Sequence, residues 1–126
     1  MGISLRTQDG VGPSFEVNFW HWRALVEAIR RTGAIAVDRV EGLHEPFCGN
    51  GLTEQEARLV ADALEAQVLP VLEGQARLLL DGSTTSDPDD GTLYKGVDSA
   101  HNYSTNRDIL LKFVRYLRAC SGFEVL

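Results

Sequence analysis

Apolar positions along the chain form two short alternations, three helical stripes and a final alternating run. Ile3 and Leu5 alternate with polar neighbours, Asp9, Gly10, Gly12 and Pro13 follow, and then Phe15, Val17 and Phe19 alternate again. Period-two patterning on both sides of a turn-rich stretch predicts a β-hairpin with a loop of about four or five residues. Asn18 then suits a helix N-cap, because its side chain can accept from an orphan backbone N–H of the first turn. In the following FWHWRALVEAIRRTG, Phe19, Trp22, Leu25, Val26 and Ile29 share one face. Gly33 supplies the stop, and Arg30 and Arg31 sit near the negative end of the helix dipole.

The next signals are weaker. AIAVDRV, residues 34–40, alternates loosely and reads as a short strand. Thr53 and Glu56 have capping-box spacing, each side chain reaching an orphan N–H of the other's turn. Ala57, Val60, Ala61, Leu64 and Val68 form the buried stripe of that second helix, which Pro70 ends or kinks. A third stripe, Leu110, Phe113, Val114 and Leu117, predicts a last helix starting at Ser104 or Thr105. Lys112, Arg115 and Arg118 lie off this stripe as a basic flank. GFEVL closes the chain with Phe123 and Val125 on one side, as in a strand. No internal repeat or domain boundary interrupts this order. The expectation is a single α+β domain over 1–126: about three main helices packed on a small antiparallel sheet formed by the N-terminal hairpin, with the C-terminal strand as a candidate addition.

Composition narrows the class. Hydrophobic residues at 44 % and charged residues at 24 % are ordinary for a soluble globular chain. No apolar run approaches the roughly 18 residues that span a bilayer. MGISLR has neither the basic nor the apolar region of a secretory signal, and two cysteines make no disulfide framework. A cytoplasmic protein is expected, with no membrane association. The formal charge of −6 argues against nucleic-acid binding through a basic surface. That charge is unevenly spread. Between Asp81 and Tyr103 there are five acids (Asp81, Asp87, Asp89, Asp90 and Asp98) and one base, Lys95, a net of −4. The other residues carry 13 acids and 11 bases, a net of −2. Residues 81–103 also lack a helical period and are rich in Gly, Pro, Ser and Asp, which marks a long acidic irregular loop of the kind that often carries function.

Catalytic and metal chemistry find little support. HEPFCGNGLTEQEA, residues 44–57, places His44 and Cys48 before a helix, where a thiolate is stabilised by the dipole. Cys48 nevertheless lies five residues ahead of the Thr53 cap, and the helical effect fades within a turn. A small thiol-dependent enzyme or hydrolase centred on Cys48, with His44 or His101 as base, is the alternative function. His21, His44, Cys48, His101 and Cys120 show no CxxC or HxxxH spacing, so no metal site and no cofactor are expected. With Gly91 at position six of an EF-hand loop, positions one, three, five and twelve hold Ser86, Pro88, Asp90 and Val97, and the motif fails. Asp87, Asp89 and Asp90 could form only a non-EF cation site. Gly10-x-Gly12 and Gly49-x-Gly51 lack the rest of a phosphate-cradling motif.

Trp20 and Trp22 are about 200° apart on a helical wheel, so only one can face the core. Trp22 belongs to the stripe. Trp20 shares the opposite side with Ala24 and Ala28, a side that either packs on the hairpin or anchors a partner; Trp is enriched at binding hot spots. It is also the candidate surface for a homo-oligomer. The NFWHW helix start, the GNGLTEQEA turn and the terminal FVRYLRACSGFEV resemble those of small bacterial proteins of unknown function. The likeness covers roughly residues 18–69 and 109–125 and skips the acidic loop, and it implies no activity. Toxin-neutralising immunity proteins offer an analogy of size and charge. The functional expectation is a non-enzymatic protein-binding domain of immunity or regulatory type. It sets Asp87, Asp89, Asp90 and Asp98, with Trp20 as apolar anchor, against a basic partner. A rival structural role makes the loop an internal cover held by Lys112, Arg115 and Arg118.

Overall fold

The computed structural model describes residues 2–7, 12–44, 51–80, 82–86 and 103–125. Alternation turns Ile3, Leu5 and Thr7 of strand β1 (Gly2–Thr7) inward, and β2 (Ser14–Asn18) sends Phe15 and Val17 to the same side. The two strands pair antiparallel with Ile3 opposite Val17 and Leu5 opposite Phe15. Their connection, 8–13, is slightly longer than the spacing predicts. The terminal strand β7 (Gly122–Val125) pairs with the other edge of β1, placing Val125 opposite Leu5. A short strand β3 (Gly51–Thr53) then pairs with β7, giving an antiparallel sheet of order β2-β1-β7-β3.

Among the described residues four α-helices accompany this sheet in an α+β fold: α1 (Phe19–Thr32), α2 (Val37–Gly42), α3 (Glu54–Ala63) and α4 (Arg107–Ala119). The predicted caps are present. Asn18 accepts from the His21 N–H at 2.9 Å, Thr53 and Glu56 complete the capping box, and Gly33 stops α1 at φ 69°. Trp22, Leu25, Val26 and Ile29 of α1 meet Leu110, Phe113 and Leu117 of α4 in one core. Trp22 stands edge-on to Phe113 at 5.9 Å, and its indole N–H donates to the Leu43 carbonyl at 3.0 Å. That bond satisfies a donor that burial would otherwise leave costly. After α3 the chain widens into a π-helical turn, Leu64–Val68, and tightens to a 3₁₀ turn, Leu69–Val71, around Pro70. The break falls where Pro70 can no longer donate to the helical ladder.

Three features correct the sequence reading. Residues 34–40 do not form a strand: Ala36 caps α2, whose Val40 is buried while Val37 is 63 % exposed. Val40 joins the core from this short helix, and so short an element needs no repeated apolar stripe. A second antiparallel sheet, of order β5-β4-β6, joins β4 (Arg77–Leu79), β5 (Thr84–Thr85) and β6 (Ser104–Asn106). Strand β5 therefore lies inside the stretch expected to be irregular. Ser104 and Thr105 are buried strand residues and do not begin α4; Asn106 does, its side chain accepting from the Ile109 N–H at 2.9 Å. Thr105 pairs across the ladder with Leu78, which uses its backbone for the sheet before the chain turns helical.

Candidate functional site

The cap at Asn18 starts α1 at Phe19, so Phe19, Arg23 and Trp20 follow one another around its first turns, Phe19 bordering the core face and Trp20 turned away from Trp22. Helix α1 lies against β6, and Tyr103 immediately precedes that strand. Packing of the two elements brings Tyr103 onto the helix start. Its ring centroid lies 4.7 Å from that of Trp20 and 6.5 Å from that of Phe19, and Phe19 and Trp20 are 6.2 Å apart. The Arg23 guanidinium sits 4.7 Å from the Tyr103 centroid and 5.9 Å from that of Phe19, both within cation–π range. Trp20 is 40 % exposed.

Two polar contacts fasten β6 beside this cluster. His21 approaches the Ser104 carbonyl through Nδ1 at 2.5 Å; a carbonyl can only accept, so the ring carries a proton on that nitrogen. The buried Arg77 donates to the Ser104 hydroxyl at 2.9 Å. The small residues expected to open the Trp20 side to another surface do not do so. Ala24 and Ala28 are fully buried, and the exposed area belongs to the aromatic sector instead.

Among the other candidates, Asp87, Asp89, Asp90, Asp98, Cys48 and His101 lie outside the described residues. His44 is half-buried just beyond α2. Burial first, and then the positive charge of Arg23, hold its pKa below the ordinary imidazole value, so it is neutral at neutral pH. Cys120 is buried, donates to the Leu117 carbonyl, and has its thiol pushed up by burial. Among the described residues no three His, Cys, Asp or Glu side chains gather as metal ligands. The basic flank of α4 has local commitments: Lys112 pairs with Asp108 at 3.2 Å, and Arg118 bridges Asp62 and Glu65. Those pairs give Lys112 and Arg118 partners among the described residues.

A shallow groove of about 180 Å³ lies elsewhere, between Val68 and Val71 of the broken helix and Leu78 of β4, with Arg31 at its rim. Arg31 is bonded to Glu27 at 3.0 Å, and Arg30 foremost holds that carboxylate below its usual range. Ala28, from the side of α1 named with Trp20, is among its lining residues; Trp20 and His44 are not. Sequence reasoning reached Trp20 but not Phe19, Arg23 and Tyr103 as its neighbours. The Phe19–Arg23 spacing of four was a visible signal for a cation–π pair; the approach of Tyr103 is tertiary.

The chain matches no protein family, no curated protein and no solved structure at a significant level. No described helix is long and apolar enough to cross a membrane.

Proposed function

We propose that the protein is a small cytoplasmic, non-enzymatic binding domain of immunity or regulatory type that engages a basic protein partner. Asp87, Asp89, Asp90 and Asp98 supply the charge, and Trp20 supplies an apolar anchor. The observation that carries this reading is the 4.7 Å contact between Trp20 and Tyr103. Tyr103 is the last residue of the stretch that holds a net charge of −4. The acid-rich segment is therefore tethered at one end to the half-open tryptophan. Long-range charge would speed encounter and select partners, while the aromatic surface would supply short-range contact. Nucleic acid is a poor partner for this charge. A second copy carries the same −6, which disfavours self-association through this surface.

The test is retention of the natural partner by the wild type and by the triple variant Asp87→Asn, Asp89→Asn, Asp90→Asn. The proposal expects a partner that is held at low salt, released as salt rises, and lost by the variant. A partner held equally by both proteins, with the same salt response, contradicts it.

The rival reading is a thiol enzyme centred on Cys48 with His44 or His101 as base. His44 stays neutral at neutral pH, four positions before Cys48, and can accept a proton. Alkylation rates separate the two readings, with buried Cys120 as the slow internal reference. Rapid selective modification of Cys48 at neutral pH would support the enzyme. A rate no greater than that of a free peptide thiol removes it.

A further inference from the structure

We infer that the outer face of Trp20 is a stacking site for an arginine side chain of the basic partner. This rests on the partner-binding reading above and narrows the partner from basic in general to guanidinium-bearing. The aromatic cluster already takes a guanidinium, since Arg23 covers both Tyr103 and Phe19. Of the three rings, Trp20 is the one left substantially open, at 40 % exposure. Tryptophan is the strongest aromatic host for a cation because its extended face carries the most negative potential. Arginine suits that face better than lysine: its guanidinium is planar, stacks flat and is more weakly hydrated than an ammonium.

Charge points the same way. The residue packed on Trp20 closes a segment of five acids and one base, which favours a cation. Arg23 adds one positive charge to the cluster, and that charge is already engaged over Tyr103 and Phe19. Helix α1, capped by Asn18, presents Trp20 in its first turn, and the ring rests against Phe19 and Tyr103, which reduces the ordering needed on binding.

The experiment compares two labelled peptides of equal length and charge, one with arginines and one with lysines, titrated against the full chain at low salt. Fluorescence anisotropy reads binding to the wild type, Trp20→Leu and Trp20→Phe, with thermal melts confirming that each variant folds. The expected result is a preference for the arginine peptide of about two- to five-fold, the size of an exposed cation–π contact. The preference disappears in Trp20→Leu and partly survives in Trp20→Phe, and lysine-peptide affinity falls by less than arginine-peptide affinity. Equal binding of the two peptides by the wild type overturns the inference, as does an arginine preference that persists in Trp20→Leu. A Trp20→Leu loss shared equally by both peptides overturns it too, because the ring is then only an apolar anchor. In all three cases salt-sensitive binding leaves the acidic partner reading standing; binding of neither peptide defeats both.

Discussion

Gly51 closes the main sheet at its last strand. A Cβ built there would lie 1.8 Å from the Phe123 carbonyl oxygen, across the β3–β7 pairing. The obstacle is backbone, so no side-chain rotation relieves it. Gly51→Ala is expected to lower stability by about 1–3 kcal/mol, as overpacking does, measured by chemical denaturation. An unchanged midpoint would show that β3 does not approach β7 this closely. Glu56 gives a second test at this scale. The guanidinium of Arg39 first, with the Thr53 backbone N–H, holds its carboxyl at about 2 against an ordinary 4.5. A carboxylate pKa depressed by folding adds stability above its unfolded value, and that stability drains away as pH falls through the folded one. The advantage of wild type over Glu56→Gln is thus complete above pH 4.5 and shrinks as pH falls toward 2. Glutamine keeps the capping-box geometry, so the comparison isolates the charge. Thermal melts across this range check it, and a difference that does not change with pH counts against the Arg39 pair.

Elements with strong periodicity were legible before any coordinates. The stripes in α1, α3 and α4 each repeat an apolar face over several turns, and Asn18, Gly33 and the Thr53–Glu56 pair mark their ends by local chemistry. The second sheet was not legible. Strand β4 is buried throughout, so its apolar run has no alternation to read; β5 spans two residues; β6 is polar and resembles a cap. Helix α2 depends on tertiary contacts that no local pattern records. Of the candidate site, Trp20 could be found from the wheel, whereas its contact with Tyr103 needed the packing of α1 on β6. Capping is open to a direct check. Thr53→Ala removes a hydroxyl that accepts from the Glu56 N–H at 3.1 Å and should cost about 1 kcal/mol. Thr53→Asp should restore most of it in equilibrium unfolding, and equal stability of the alanine variant and wild type would contradict the cap's contribution.

For the molecule as a whole, the decisive property is where its charge lies. Four of the six net negative charges fall in residues 81–103, and that stretch ends on the aromatic cluster at the start of α1. The proposed binding should respond to ionic strength, because salt screens charge interactions over about 10 Å at 0.1 M. If the segment serves binding as proposed, charge neutralisation in it should leave the melting temperature nearly unchanged, with stability shifted by about 0.5 kcal/mol or less. The most direct measurement is the affinity of the full chain for a polybasic peptide at about 0.05 M and about 0.3 M salt. Wild type is compared with the triple variant Asp87→Asn, Asp89→Asn, Asp90→Asn. Wild-type affinity should fall steeply between the two conditions, and the variant should bind weakly with a much flatter response. Equal affinity and equal salt dependence in the two proteins would contradict the account.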